Sequence, residues 1–140
     1  MLDTWFGEGS AFKVWQTARA RSGVRDQEGS LSGVGYTDEH DRISVEWTAG
    51  AILAAREVAK FYSGIHQDRA REAFEDAHNM RAGIESLRKD LAQGLSAYAY
   101  SSRRGWIPFG WYSHEPCVLS LASTGWVVFV DAGFNPFYLN

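Results

Sequence analysis

The sequence predicts a mainly α-helical single domain built from hairpins of inner and outer helices. Residues 47–61 are dense in alanine, and Phe74, Ala77, Arg81, Ile84, Leu87 and Leu91 recur at spacings of three and four. Ser10, Ser44 and Ser120 stand where helix N-caps belong. A chain of 140 residues fits one domain, able to bury roughly two thirds of its unfolded surface. Its apolar fraction of 45% and charged fraction of 22% are ordinary for a chain that folds on its own burial.

The elements follow in order. Ser10 caps a helix over 11 to about 21, with Phe12, Trp15 and Ala18 roughly in line and Ser22-Gly23 ending it. Trp5 and Trp15 are assigned to the core. Residues 23–43 carry glycines, serines and acids around Tyr36 without a sustained period, which predicts a long loop; loops of this length are often functional. Ser44 then caps a helix over 47–61, with Glu46 in the first turn complementing the dipole and Gly50 allowing a neighbouring helix close. This is an inner helix. Gly64 closes it, and an amphipathic outer helix begins near Gln67-Asp68, its apolar stripe interrupted only by Arg81 and its other face carrying Arg71, Glu72, Glu75, Asp76, Glu85 and Lys89. A short helical stretch is expected after Gly94, through Tyr98 and Tyr100. Pro108 and Gly110 forbid a regular helix over 106–112. The last element, 120–130, reads as a helix between the Ser120 or Ser123 cap and Gly133, with a strand as the alternative because 126–130 is Trp-Val-Val-Phe-Val.

Several function classes are excluded. The net charge is −3, lysine occurs only at 13, 60 and 89, and Arg103-Arg104 is too short to form a basic patch, so no nucleic-acid partner is expected. No run approaches the roughly 18 apolar residues that span a bilayer, and the first five residues lack a signal-peptide pattern. Cys117 is the only cysteine, which rules out an internal disulfide and suggests a small core residue. His40 with Asp38 and Asp41, or His114 with Glu115, lacks a second His or Cys at ligand spacing, so no metal or other cofactor is expected. His66 and His78, on charge-rich helical segments, read as surface residues. Neither a phosphate-binding loop nor a Gly-x-Ser-x-Gly elbow is present.

Two segments carry chemistry. Tyr36-Thr37-Asp38-Glu39-His40-Asp41-Arg42 gathers acids, an imidazole, a guanidinium and a phenol just before a helix N-terminus, with Glu46 and Trp47 one turn on. Acid-base chemistry needs such groups: one carboxylic acid to protonate a leaving group and one carboxylate to activate water. The bland alternative is a set of solvated loop acids, with Asp41 or Ser44 capping the helix. The second segment is aromatic: Trp106, Phe109, Trp111 and Tyr112, with His114 and Glu115 beside it. Flat rings with polar neighbours suit the apolar C–H faces and hydroxyl edges of sugars; covering helix ends as core is the alternative.

Ile43-Ser44-Val45-Glu46-Trp47-Thr48-Ala49-Gly50, Arg104-Gly105-Trp106-Ile107-Pro108-Phe109-Gly110-Trp111, and Ser120-Leu121-Ala122-Ser123-Thr124-Gly125-Trp126 leading to Gly133-Phe134-Asn135-Pro136-Phe137 together resemble the C-terminal part of bacterial (α/α)-barrel glycoside-hydrolase-like proteins. The resemblance implies an incomplete segment of an (α/α) toroid, with a sugar cleft floored by the loops that precede its inner helices. It also implies an oligosaccharide or polysaccharide ligand. Glu39 and Asp38, with Glu46, are then the catalytic candidates, and Tyr36, His40, Arg42, Trp47, Trp106, Trp111, Tyr112 and His114 the substrate-binding ones. A non-catalytic binding or assembly module is the second expectation. Twelve helices need roughly 200 residues or more, so this chain is expected to be part of a longer one or to cover its open flanks by forming a homo-oligomer.

Overall fold

Asp3 organises the start of the chain. A computed structural model describes residues 2–138, and in it the short helix α1 (Leu2–Phe6) presents the Asp3 carboxylate to the backbone N–H groups of Gly9 and Ala11, at 2.7 and 2.6 Å. This carboxylate satisfies two of the free donors at the start of α2 (Ser10–Ser22). Ser10 does not cap it, since its hydroxyl donates to the Phe6 carbonyl instead. Tyr62 donates to Asp3 as well, at 2.6 Å. Trp15 is buried, as expected, with its indole N–H on Asp76 at 2.8 Å. Trp5 is 81% exposed, because α1 turns that ring outward.

Residues 23–43 are not one loop. β1 (Gly23–Arg25) and β2 (Leu31–Val34) form an antiparallel hairpin. Its turn is closed by the Asp26 carboxylate, which accepts from the N–H groups of Glu28 and Ser30, as Asp does at turns. Leu31 and Val34 point into the core. The strands were hidden because they are short and β2 reads Leu-Ser-Gly-Val, without clear alternation.

α3 (Val45–Tyr62) is the inner helix the sequence predicts, and Ser44 caps it through the Trp47 N–H. Gly50, however, faces open space and admits no neighbour. α4 (Gln67–Glu85) follows after a short turn and packs along α3. Ala49, Ile52, Ala55 and Tyr62 meet Ala73, Ala77, Met80 and Ile84 in one buried cluster. The buried stripe of α4 therefore runs through Ala73 rather than Phe74, which is 63% exposed. Asp76, expected on the solvent face, is buried because the Trp15 indole and Arg19 both donate to it. Gly83 lets α4 press onto β2: a Cβ there would lie 1.9 Å from the Ser32 carbonyl oxygen.

The expected continuation of this helix to 91 is a strand, β3 (Arg88–Asp90), which leaves Leu91 exposed. Left-handed backbone at Gln93 and Gly94 turns the chain back, so the expected helix over 94–100 is β4 (Ser96–Ala99), paired with β3 on one side and with β7 (Leu119–Ser120) on the other. Between them β5 (Trp106–Ile107) and β6 (Trp111–Tyr112) form a second hairpin. α5 (Leu121–Asp131) settles the helix-or-strand alternative as helix, capped by Ser120 through the Ser123 N–H. Its buried Val127 and Val130 join the core. Cys117 is exposed rather than core.

With about 50% helix, 16% strand and five helices among the described residues, the fold is a small mixed α/β domain and not an (α/α) toroid. The unfinished-ring argument for open flanks falls with it. None of the described helices is long and apolar enough to cross a membrane.

Arg81 ties α4 to α5 and β4. Its guanidinium grips Asp131 at 2.8 and 3.0 Å, donates to Glu85 at 2.6 Å and lies over the Tyr98 ring. The Arg81 and Tyr98 donors, with Arg88, pull the Glu85 carboxyl from 4.5 down to about 2. A depressed carboxylate adds stability above its unfolded pKa and loses it as pH falls through the folded one. The melting temperature of wild type is therefore expected to drop between about pH 4.5 and pH 2 more steeply than that of Glu85→Gln. Thermal denaturation of both proteins across that range checks it.

Candidate functional site

Arg42 fixes the geometry of the site. Its side chain, 6% exposed, forks onto Asp41 at 2.7 and 2.8 Å, reaches Glu39 at 2.9 Å and donates to the Trp106 carbonyl at 3.3 Å. Arg103 reaches Asp41 from the other side at 2.9 Å. Burial pushes the Asp41 carboxyl up, but the hydrogen bonds and charge of Arg42, with Arg103, outweigh it and hold the group below its ordinary value. Gly105 is what lets the guanidinium pass beneath the β5–β6 hairpin, since a Cβ there would lie 1.5 Å from Arg42 Nη1. Ser113 closes the hairpin base, its N–H on the Gly105 carbonyl and its hydroxyl accepting from the Gly105 N–H.

Strand alternation then sorts the aromatics. Trp106 pairs with Tyr112 and Ile107 with Trp111, so the two pairs lie on opposite faces of the hairpin. Ile107 is fully buried and anchors the inner face. On the outer face the Trp106 and Tyr112 rings meet at 5.3 Å, with Arg104 above Tyr112. On the inner face a row of rings runs from Trp111 to Phe109 at 5.9 Å, to Trp47 at 6.3 Å, to Tyr36 at 5.3 Å and to Tyr100 at 5.9 Å, where His114 packs edge-on. Trp47, Phe109 and Trp111 are 43%, 61% and 49% exposed. The far end of the row is more enclosed. Burial raises the Tyr36 phenol well above its usual range, nearby Tyr100 and Glu46 adding to the effect and Ser44 opposing it. The phenol oxygen itself makes no hydrogen bond among the described residues.

Tyr36, Trp47, Trp111 and His114 thus belong to one surface, while Trp106 and Tyr112 form a second one across the hairpin. Arg42 lies beneath both as a support. His40 adopts left-handed backbone (φ 55°), and its Nδ1 donates to the Gly23 carbonyl at 2.7 Å, which ties it to β1 rather than to the rings. Glu39 is paired to Arg42, and Asp38 is exposed with no ion-pair partner among the described residues. Glu46 sits half-buried in the first turn of α3. Tyr100 is the member that sequence reasoning missed. Its carbonyl accepts from the Val45 N–H and its own N–H donates to Val118, so it arrives as an extension of β4; the helix expected over 94–100 concealed that placement.

The arrangement offers a part-exposed apolar face with polar groups at its margins, suited to holding a flat ligand. Among the described residues, no three His, Cys, Asp or Glu side chains converge as metal ligands. No family model matches this sequence, and no curated protein or solved structure matches it.

Proposed function

We propose that this domain is a carbohydrate-binding module that holds the apolar face of a sugar chain on Trp47, Phe109 and Trp111. The observation that supports the reading is the row of half-exposed rings from two separate segments, kept uncovered while Ile107 takes the buried position between them. Leaving three large rings about half exposed forgoes roughly half of the 1.5–3 kcal/mol that full burial of each side chain would give; a ligand recovers part of that. Binding rather than hydrolysis is proposed because hydrolysis uses a fixed pair of carboxylates: Glu39 and Asp41 are both spent on Arg42, and exposed Asp38 is held by no hydrogen bond among the described residues, which leaves Glu46 beside Tyr36 without a fixed partner. An acid catalyst needs a carboxyl free to give up its proton to a leaving group.

Tryptophan fluorescence titration with a panel of soluble gluco-, manno- and xylo-oligosaccharides is the test. At least one is expected to shift the emission, and Trp111→Ala to weaken that binding roughly tenfold, the scale of one lost aromatic contact. A panel without any response would dispose of the sugar reading. Cleavage of a panel member by wild type, abolished in Glu39→Gln, would replace binding by hydrolysis.

A further inference from the structure

Away from the aromatic rows, α3 and α4 leave an open groove of about 480 Å³, within the range of small-molecule sites. Ala59, Ala70 and the ring of Phe74 form its floor, and Arg56, Lys60 and Arg71 its rim; no carboxylate lines it. Arg56 and Lys60 are four residues apart, so they share one face of α3, where two like charges repel. Neither meets a carboxylate among the described residues, although acids outnumber bases in the chain, 17 to 14, and most of its arginines sit against one. Arg71, at the other edge, is already matched by Asp68 at 2.8 Å. Arg56 is also held in place: one Nη donates to the Val130 carbonyl at the end of α5, at 2.6 Å. That single bond fixes the guanidinium and leaves its remaining donors unspent.

We infer that this groove binds a small amphiphilic anion, a carboxylate with an aliphatic or aromatic body. The head group meets Arg56 and Lys60, cancelling their mutual repulsion, and the body covers Ala59, Ala70 and Phe74. Charge and apolar surface are offered side by side, and a ligand lacking either half leaves one of them unanswered. The inference does not depend on the aromatic surface binding sugars.

The test is an amide chemical-shift titration of the intact domain with decanoate, and in parallel with decanol. Decanoate is expected to shift amides of α3 and α4 around residues 56–74, with decanol at least tenfold weaker, as the loss of a charged hydrogen bond implies. The exposed substitution Lys60→Gln is expected to weaken decanoate roughly tenfold without altering the circular dichroism spectrum. Equal affinity for decanoate and decanol would overturn the inference, because the groove would then be reading apolar surface alone. Shifts confined to the β5–β6 hairpin, or no shifts at millimolar decanoate, would overturn it too. The decanol comparison uses wild-type protein, so it decides the matter even if Lys60→Gln fails to fold.

Discussion

Arg42→Ala is expected to destabilise the domain by about 3 kcal/mol or more, the cost of removing one partner from a buried ion pair. The substitution strands Asp41 at 22% side-chain exposure, with only the more exposed Arg103 left to answer it. It also removes the donor to the Trp106 carbonyl and leaves a void under Gly105, where a guanidinium now fills the space a Cβ would take. Denaturant unfolding measures the loss, and a value below about 1 kcal/mol would mean that the fork onto Asp41 is incidental. Arg42→Lys is expected to recover little, since a point charge cannot contact Asp41, Glu39 and the Trp106 carbonyl at once. Because the hairpin carrying Trp106 and Trp111 rests on this side chain, both variants are expected to lose ligand response along with stability.

Gly83→Ala is the second large effect. The new methyl would sit 1.9 Å from the Ser32 carbonyl oxygen and 2.7 Å from its carbon. These are backbone atoms of a paired strand, which cannot rotate away as a side chain can. α4 and β2 must separate, and overpacking of this kind costs about 3 kcal/mol. Gly50→Ala makes the opposite prediction within the same protein. Gly50 faces open space in mid-helix, so the substitution is expected to stabilise α3 by about 0.5–1 kcal/mol. Melting curves of the two variants should move in opposite directions. A loss at both sites would show that α3 is packed differently around Gly50.

Helices α2 to α5 were legible because each carries its own signal, whereas the five-residue α1 was not. Ser44 and Ser120 cap α3 and α5 as their sequence positions imply, and the Ala-rich run from Thr48 to Ala59 could hardly be anything but a buried helix. The strands were not legible, because their cause is tertiary. β7 has two residues and β4 four; neither shows a period, and β4 exists because β3 and β7 flank it. The expected helical ring failed at these places, since 23–43 and 94–100 had to supply helices or helix-joining loops and supply strands instead. At α4 the stripe through Ala77, Ile84 and Leu87 was right and only its start was misplaced by one residue: small Ala73 packs against α3 where the bulkier Phe74 was expected.

The candidate site divides in the same way. Tyr36 and Trp47 were read with the acidic loop and Trp111 with the aromatic one; the structure brings these three rings into one row and turns Trp106 and Tyr112, expected beside Trp111, to the opposite face. The acidic loop misled. Asp38, Glu39, His40, Asp41 and Arg42 looked like converging catalytic groups, yet Glu39 and Asp41 turn onto Arg42 and His40 turns onto Gly23. Nothing in the residue types distinguishes a carboxylate that meets a substrate from one that meets a neighbouring guanidinium; the three-residue spacing from Glu39 to Arg42 was the available hint.

The proposed ligand surface is the inner face of the hairpin, with Trp47. The indole N–H signals of the tryptophans in a nitrogen-15 correlation spectrum test it most directly, followed while a responding oligosaccharide is added. A ligand on that face is expected to move the Trp47 and Trp111 signals together and saturate them together, while Trp15, bonded to buried Asp76, stays fixed. Movement of Trp106 alone would place the ligand on the opposite face, and stationary signals from Trp47 and Trp111 at saturating ligand would rule out binding on the inner face.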